Sequence, residues 1–119
     1  MLHKDWRITR SQQYSFVYKK GRRLAGKYLI VFLVQSDYHG RRFGIVTSKK
    51  IGNAVTRNRA KRQIREVIRK NLSGLPKGYD VVVVARYTVK EATFGLIESD
   101  FLRLIRKANV SETSSYSSY

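Results

Sequence analysis

Two periodicities alternate along this chain. Over residues 11–20, Tyr14, Val17 and Tyr18 recur three and four residues apart and share one side while Phe16 points elsewhere, which predicts a short helix capped by Ser11 and stopped by a left-handed Gly21. Residues 27–35 (KYLIVFLVQ) are dense in β-branched and aromatic side chains and read as a strand. Tyr28, Ile30, Phe32 and Val34 face one way and Leu29, Val31 and Leu33 the other. Both faces are apolar, so one belongs to a core and the other is either covered by a helix or left as a partly open, aromatic-bearing groove. Residues 36–41 carry turn chemistry and 42–47 (RFGIVT) read as a second strand, which predicts an antiparallel hairpin. Gly44 in its middle lets another group come close.

The longest helical pattern lies within residues 47–72 (TSKKIGNAVTRNRAKRQIREVIRKNL). Ala60, Ile64, Val67, Ile68 and Asn71 fall on one side; Asn58, Arg62, Arg65 and Arg69 fall within about 60° of one another on the opposite side. Gly52 permits a sharp turn into an N-cap at Asn53, and Asn71 or the Ser73-Gly74 pair ends the helix. Leu75-Pro76-Lys77-Gly78 then breaks the chain, and residues 79–86 (YDVVVVAR) give a third strand whose valine run suits an interior position. Over 91–107, Phe94, Ile97, Phe101, Leu102, Leu104 and Ile105 recur at helical spacing and predict a last, core-packed helix.

The order is therefore αββαβα, an α+β fold in which a single-layer mixed sheet packs with helices. Residues 1–107 form one domain, with Trp6 and Ile8 available to pin the N-terminal arm, and 108–119 (ANVSETSSYSSY) form a Ser/Tyr-rich tail with too little apolar surface to fold. The second strand, the basic helix and the third strand can form a βαβ crossover, for which the general preference is right-handed.

Charge changes the picture most. The chain carries a formal +17, and residues 47–72 hold nine Lys or Arg against one acid, Glu66, contributing +8 of it. Arg62, Arg65 and Arg69 stand three and four residues apart, each like-charge pair costing roughly 0.2–0.5 kcal/mol in isolation. A polyanion removes that cost. A sequence pI near 10.6 points the same way, to nucleic acid or an anionic surface. No apolar run of roughly 18 residues and no signal-type N-terminus is present, so the expected protein is soluble, unexported and without a membrane partner. The three rings of the first helix, Tyr14, Phe16 and Tyr18, are hard to bury together, and each could stack on an unpaired base for about 1–3 kcal/mol.

Candidate catalysts are scarce. The chain has no Cys, which removes thiolate chemistry, disulfides and zinc fingers and fits a reducing cytoplasm. His3 and His39 have no partner at metal-ligand spacing, and the eight acids, Glu98 and Asp100 included, form no catalytic pair in sequence. No catalytic residue is therefore assigned, and any chemistry belongs to a partner.

The run KKIGNAVTRNRAKRQIRE, residues 49–66, resembles the signature of the protein subunit of bacterial ribonuclease P, with Arg57-Asn58-Arg59 at its centre. Weaker similarity extends over about 7–107. The resemblance implies a left-handed βαβ crossover and a non-catalytic subunit of an endoribonuclease. Its RNA partner, ribonuclease P RNA, uses magnesium ions to cleave precursor tRNA to the mature 5′ end, so no cofactor is held by dedicated protein ligands. The protein holds the single-stranded 5′ leader of precursor tRNA. Carried over by motif, Asn53, Arg57, Asn58, Arg59, Lys61, Arg62 and Arg65 bind RNA, with Lys49, Lys50 and Arg69 beside them; Tyr14, Tyr18 and Phe32 line the leader cleft. Members commonly have Phe where this chain has Tyr14 or Tyr18, and Phe16 between them leaves open which ring faces the leader. Two other classes fit the charge: a ribosomal or RNA-chaperone-like protein that coats structured RNA, and a DNA-binding regulator. The second needs a packed neighbouring helix where this chain has strands.

Overall fold

Four strands form one mixed sheet in the order β1-β2-β4-β3, where β1 is Arg22–Ala25, β2 Leu29–Gln35, β3 Arg41–Val46 and β4 Tyr79–Ala85. The computed structural model describes residues 7–36, 41–75 and 77–117, and the side chains of these except Arg41 and those beyond Ala108. Trp6, both histidines, Asp5, Asp37 and Pro76 lie outside the described residues.

The antiparallel hairpin expected between residues 27–35 and 42–47 does not form. β2 instead pairs antiparallel with β1 on one edge and with β4 on the other, while β3 lies parallel to β4 at the sheet's edge. A strand apolar on both faces gains from an interior place, and β2 and β4 sit side by side in the middle, where one face of β2 is buried and the other half-buried. β1 (RRLA) is an element the pattern did not reveal, because Leu24 alone of its four residues is buried.

The helices are α1 (Ser11–Lys20), α2 (Ala54–Lys70) and α3 (Phe94–Ser117). α2 connects β3 to the parallel β4, giving the expected crossover. The main core lies between one sheet face and the helices α2 and α3. Leu29, Val31, Leu33, Phe43, Val81 and Val83 meet Ala60, Ile64, Val67 and Ile68 of α2 and Ile97, Phe101, Leu104 and Ile105 of α3. On the opposite face α1 packs Val17 onto Val82, with Ile8 beside them.

The helix ends have local causes. Asn53 caps α2 by accepting from the Thr56 N–H at 3.0 Å, and Gly52 before it takes φ 149°, a conformation glycine tolerates. α1 starts at Ser11, but the capping work falls to Gln13, whose side-chain oxygen accepts from the N–H groups of Thr9 and Arg10 at 3.2 and 3.0 Å. Gly21 is extended (φ −78°, ψ 156°) rather than left-handed, because the chain leads straight into β1. A single 3-10 turn, Tyr87–Glu91, precedes α3.

α3 continues to Ser117, so the boundary expected at Lys107 falls within a helix. Extending a packed helix adds one hydrogen bond per residue fixed and avoids the cost of a new nucleus, so polar residues can prolong it without a core of their own. Among the described side chains of α3, Ala108 is the last one buried.

A buried carboxylate anchors the β1–β2 connection. Asp100 of α3, 6% exposed, accepts from the backbone N–H groups of Lys27, Tyr28 and Leu29 at 3.2, 2.9 and 3.0 Å, and Arg103 donates to it at 3.0 Å.

Candidate nucleic-acid interface

The helical period that buries Ile64 and Ile68 turns Asn58, Lys61, Arg62 and Arg65 outward. Together with Val55, which is 75% exposed, these four line an open cleft of about 450 Å³ along α2. Lys61 and Arg65 also border a second cleft of about 150 Å³ with Arg7, Ile8, Tyr14 and residues of β3. The two cations thus join the basic helix face to the aromatic side of the molecule.

That side is built by α1 crossing the sheet. Register places Phe32, Val82 and Gly44 in one row and Ile30, Val84 and Val46 in the next. α1 covers the first row through Val17 and leaves Ile30, Val84 and Val46 half-buried. Tyr18 stands edge-on to Phe32, with ring centroids 5.0 Å apart and planes at 79°, and Tyr14 lies 6.5 Å from Tyr18. Tyr14 fits only because residue 44 is glycine: a Cβ there would lie 2.6 Å from the tyrosine ring. The Tyr14 hydroxyl donates to the Ile8 carbonyl at 3.3 Å, and the Ile8 N–H donates to Phe43 at 2.8 Å, tying the N-terminal arm to the edge of β3.

Burial raises the pKa of Tyr14, and burial together with the neighbouring Tyr14 raises that of Tyr18. A phenol is already neutral at physiological pH, and these upward shifts move it further from ionising, so neither ring has a negative charge to repel a phosphate chain.

Among the described residues, Glu66, Asp80, Glu98 and Asp100 are engaged within the scaffold. Arg42 donates to Asp80 at 2.8 and 3.0 Å, and Lys70 and Asn71 donate to Glu98 at 3.3 and 2.9 Å. Arg69 is held by Glu66 one turn before it. The hydrogen bond from Arg69 keeps Glu66 below its ordinary value, and those from Asn71 and Lys70 do the same for Glu98. Among the described residues, these pairs leave Asn58, Lys61, Arg62 and Arg65 facing solvent without a paired acid.

The expected residues thus separate into groups. Tyr14, Tyr18 and Phe32 come together, and Lys61 and Arg65 stand beside them. Asn58, Arg59 and Arg62 project from the exposed face of α2, and Lys49 and Lys50 are exposed on a 3-10 turn anchored by the buried Ile51. Asn53 is committed to capping, and Arg57 donates to the Gly52 carbonyl at 3.2 Å, so both shape the loop. Arg69 shares the basic face but is paired with Glu66. Phe16 is not part of the cluster and lies on the other flank of α1. Arg7, Val46 and Val84 are contributors that periodicity alone did not identify, since their place depends on strand order. The described residues hold no His, Cys, Asp and Glu group placed for a metal and no helix long and apolar enough to cross a membrane.

Residues 2–109 match the family model described as Ribonuclease P. The chain is 40% identical over 110 residues to the ribonuclease P protein component of Syntrophomonas wolfei, covering 92% of each. It is 41% identical over 101 residues to that of Alkaliphilus metalliredigens, covering 85% of this chain and 91% of the relative. Among solved structures, the RNase P protein of Staphylococcus aureus superposes with a TM-score of 0.80 at 33% identity, covering 87% of this chain and 94% of that one. The Thermotoga maritima protein gives 0.78 at 30%, covering 85% and 96%.

Proposed function

The chain belongs to the ribonuclease P protein family, and from that premise we propose that it binds the family's catalytic RNA through the basic face of α2 and holds the single-stranded 5′ leader of precursor tRNA in the groove beside α1. The observation that carries this is one juxtaposition: Lys61 and Arg65 border both the basic cleft and the cleft that contains Tyr14. A phosphate chain can follow the cations while its bases reach the rings.

Two physical effects then act in series. Cations on α2 neutralise phosphates that would otherwise keep substrate and catalytic RNA apart, an effect that weakens with salt. Stacking on Tyr14, Tyr18 and Phe32 and contact with Ile30, Val46 and Val84 favour an RNA that still has its leader over one that has lost it. Hydrolysis belongs to the RNA and the magnesium ions it holds, and this chain acts on binding and placement. The same proposal puts the protein in the cytoplasm.

Paired substitutions test it. Tyr18, 42% exposed, can be removed without opening the core, and Tyr18→Ala should lower affinity for leader-bearing precursor roughly tenfold while mature tRNA binding is unchanged. Arg65→Ala should weaken binding of both RNAs and reduce the salt slope by about one. Filter binding across a salt series reads both; equal losses for precursor and mature tRNA in Tyr18→Ala would contradict the leader groove.

A further inference from the structure

On the flank of α1 away from the aromatic groove lies an open cleft of about 760 Å³. α1 contributes Gln12, Gln13 and Phe16 to it, and Gln35 and Ser36 form the opposite side. Residues two apart on a helix point about 200° from one another, so Phe16 turns away from Tyr14 and Tyr18 by geometry. As a residue it is 50% exposed, more than Tyr18.

The chemistry of this cleft differs from that of the α2 face. Arg42 and Asp80 border it as a paired unit, with Arg42 also donating to Ser36 Oγ at 3.1 Å, so the cleft holds charge without net charge. Its rim is carboxamide. The Gln13 oxygen is engaged by backbone N–H groups, leaving its amino group to donate, and Gln12 and Gln35 are exposed with both donor and acceptor. One open aromatic face ringed by neutral donors and acceptors suits a flat, neutral heteroaromatic with polar edges. Lys20 and Arg22 line a separate, smaller cleft with Leu33, Tyr79 and Ala108 at the β1 edge of the sheet.

We propose that this cleft is a second single-stranded RNA subsite, which takes one unpaired nucleobase stacked on Phe16 with its edge toward the amides of Gln12 and Gln13. The proposal rests on the RNA-binding function above. It makes α1 a helix with an aromatic surface for bases on each flank.

The test is equilibrium binding of the full chain to an unstructured oligoribonucleotide of roughly 16 nucleotides, at the long end of the usual site size, at fixed salt. Phe16→Ala and Phe16→Leu should each lose about tenfold in affinity, and Phe16→Tyr, which keeps the ring face, should bind like the parent. Because Phe16 is half exposed, all three variants should keep the parent's thermal midpoint. Unchanged affinity in Phe16→Ala overturns the proposal, as does a Phe16→Leu variant that binds like the parent, since apolar contact would then suffice. Tyr18→Ala in the same assay separates the two sites. If it loses affinity and Phe16→Ala does not, the leader groove stands and this subsite falls; if neither does, both fall. Repeating the Phe16 series with leader-bearing precursor and with ribonuclease P RNA identifies the source of the base, a loss with either supporting the subsite.

Discussion

Tyr14 owes its position to an absence at Gly44. The ring occupies the space a side chain would fill, its hydroxyl holds the N-terminal arm at Ile8, and its edge borders the cleft shared with Lys61 and Arg65. Gly44→Ala should therefore force the ring out, cost about 1–3 kcal/mol in urea unfolding, and lower precursor affinity more than mature tRNA affinity. Gly74→Ala is the control: nothing lies within 4 Å of a Cβ built there, so that variant should match the parent in both measurements. At this scale the sequence was informative where chemistry is local. The cap at Asn53 and the outward face Asn58-Arg62-Arg65 follow from spacing alone. Spacing does not show that Asn53 and Arg57 also shape the loop, through the groups expected to meet RNA.

The elements are held by contacts distant in sequence, and Asp100 is the clearest case. Its carboxylate satisfies three backbone N–H groups in the β1–β2 connection from a helix more than 70 residues away. Asp100→Ala would leave those donors without this acceptor in a largely buried setting and should cost about 2–4 kcal/mol by urea unfolding. At temperatures where the variant is folded, its affinity for mature tRNA should be near the parent's, because Asp100 does not line either cleft bordered by Lys61 and Arg65. The same distance explains what was hidden. α2 and α3 were legible because a helix declares its packed face every 3.6 residues. β1 was not, since Arg22 and Arg23 mask the single buried Leu24 and its connection to β2 depends on Asp100. Neighbouring strands suggested a hairpin, but pairing was decided by β4, whose valines need apolar neighbours on both sides.

Across the whole molecule, a formal +17 is divided by function. Glu66, Asp80, Glu98 and Asp100 are all paired with cations or backbone within the scaffold, while Lys61, Arg62 and Arg65 on the outer face of α2 have no paired acid among the described residues. On the proposed reading the chain organises RNA around an aromatic-edged sheet and leaves the cleavage chemistry to its RNA partner. Single-turnover cleavage of precursor tRNA by ribonuclease P RNA at low magnesium, with and without this protein, tests that claim most directly. Protein and RNA together should release the 5′ leader efficiently, and the protein alone should release none. Cleavage by the protein alone, or no change in the RNA's cleavage when the protein is added, would contradict it.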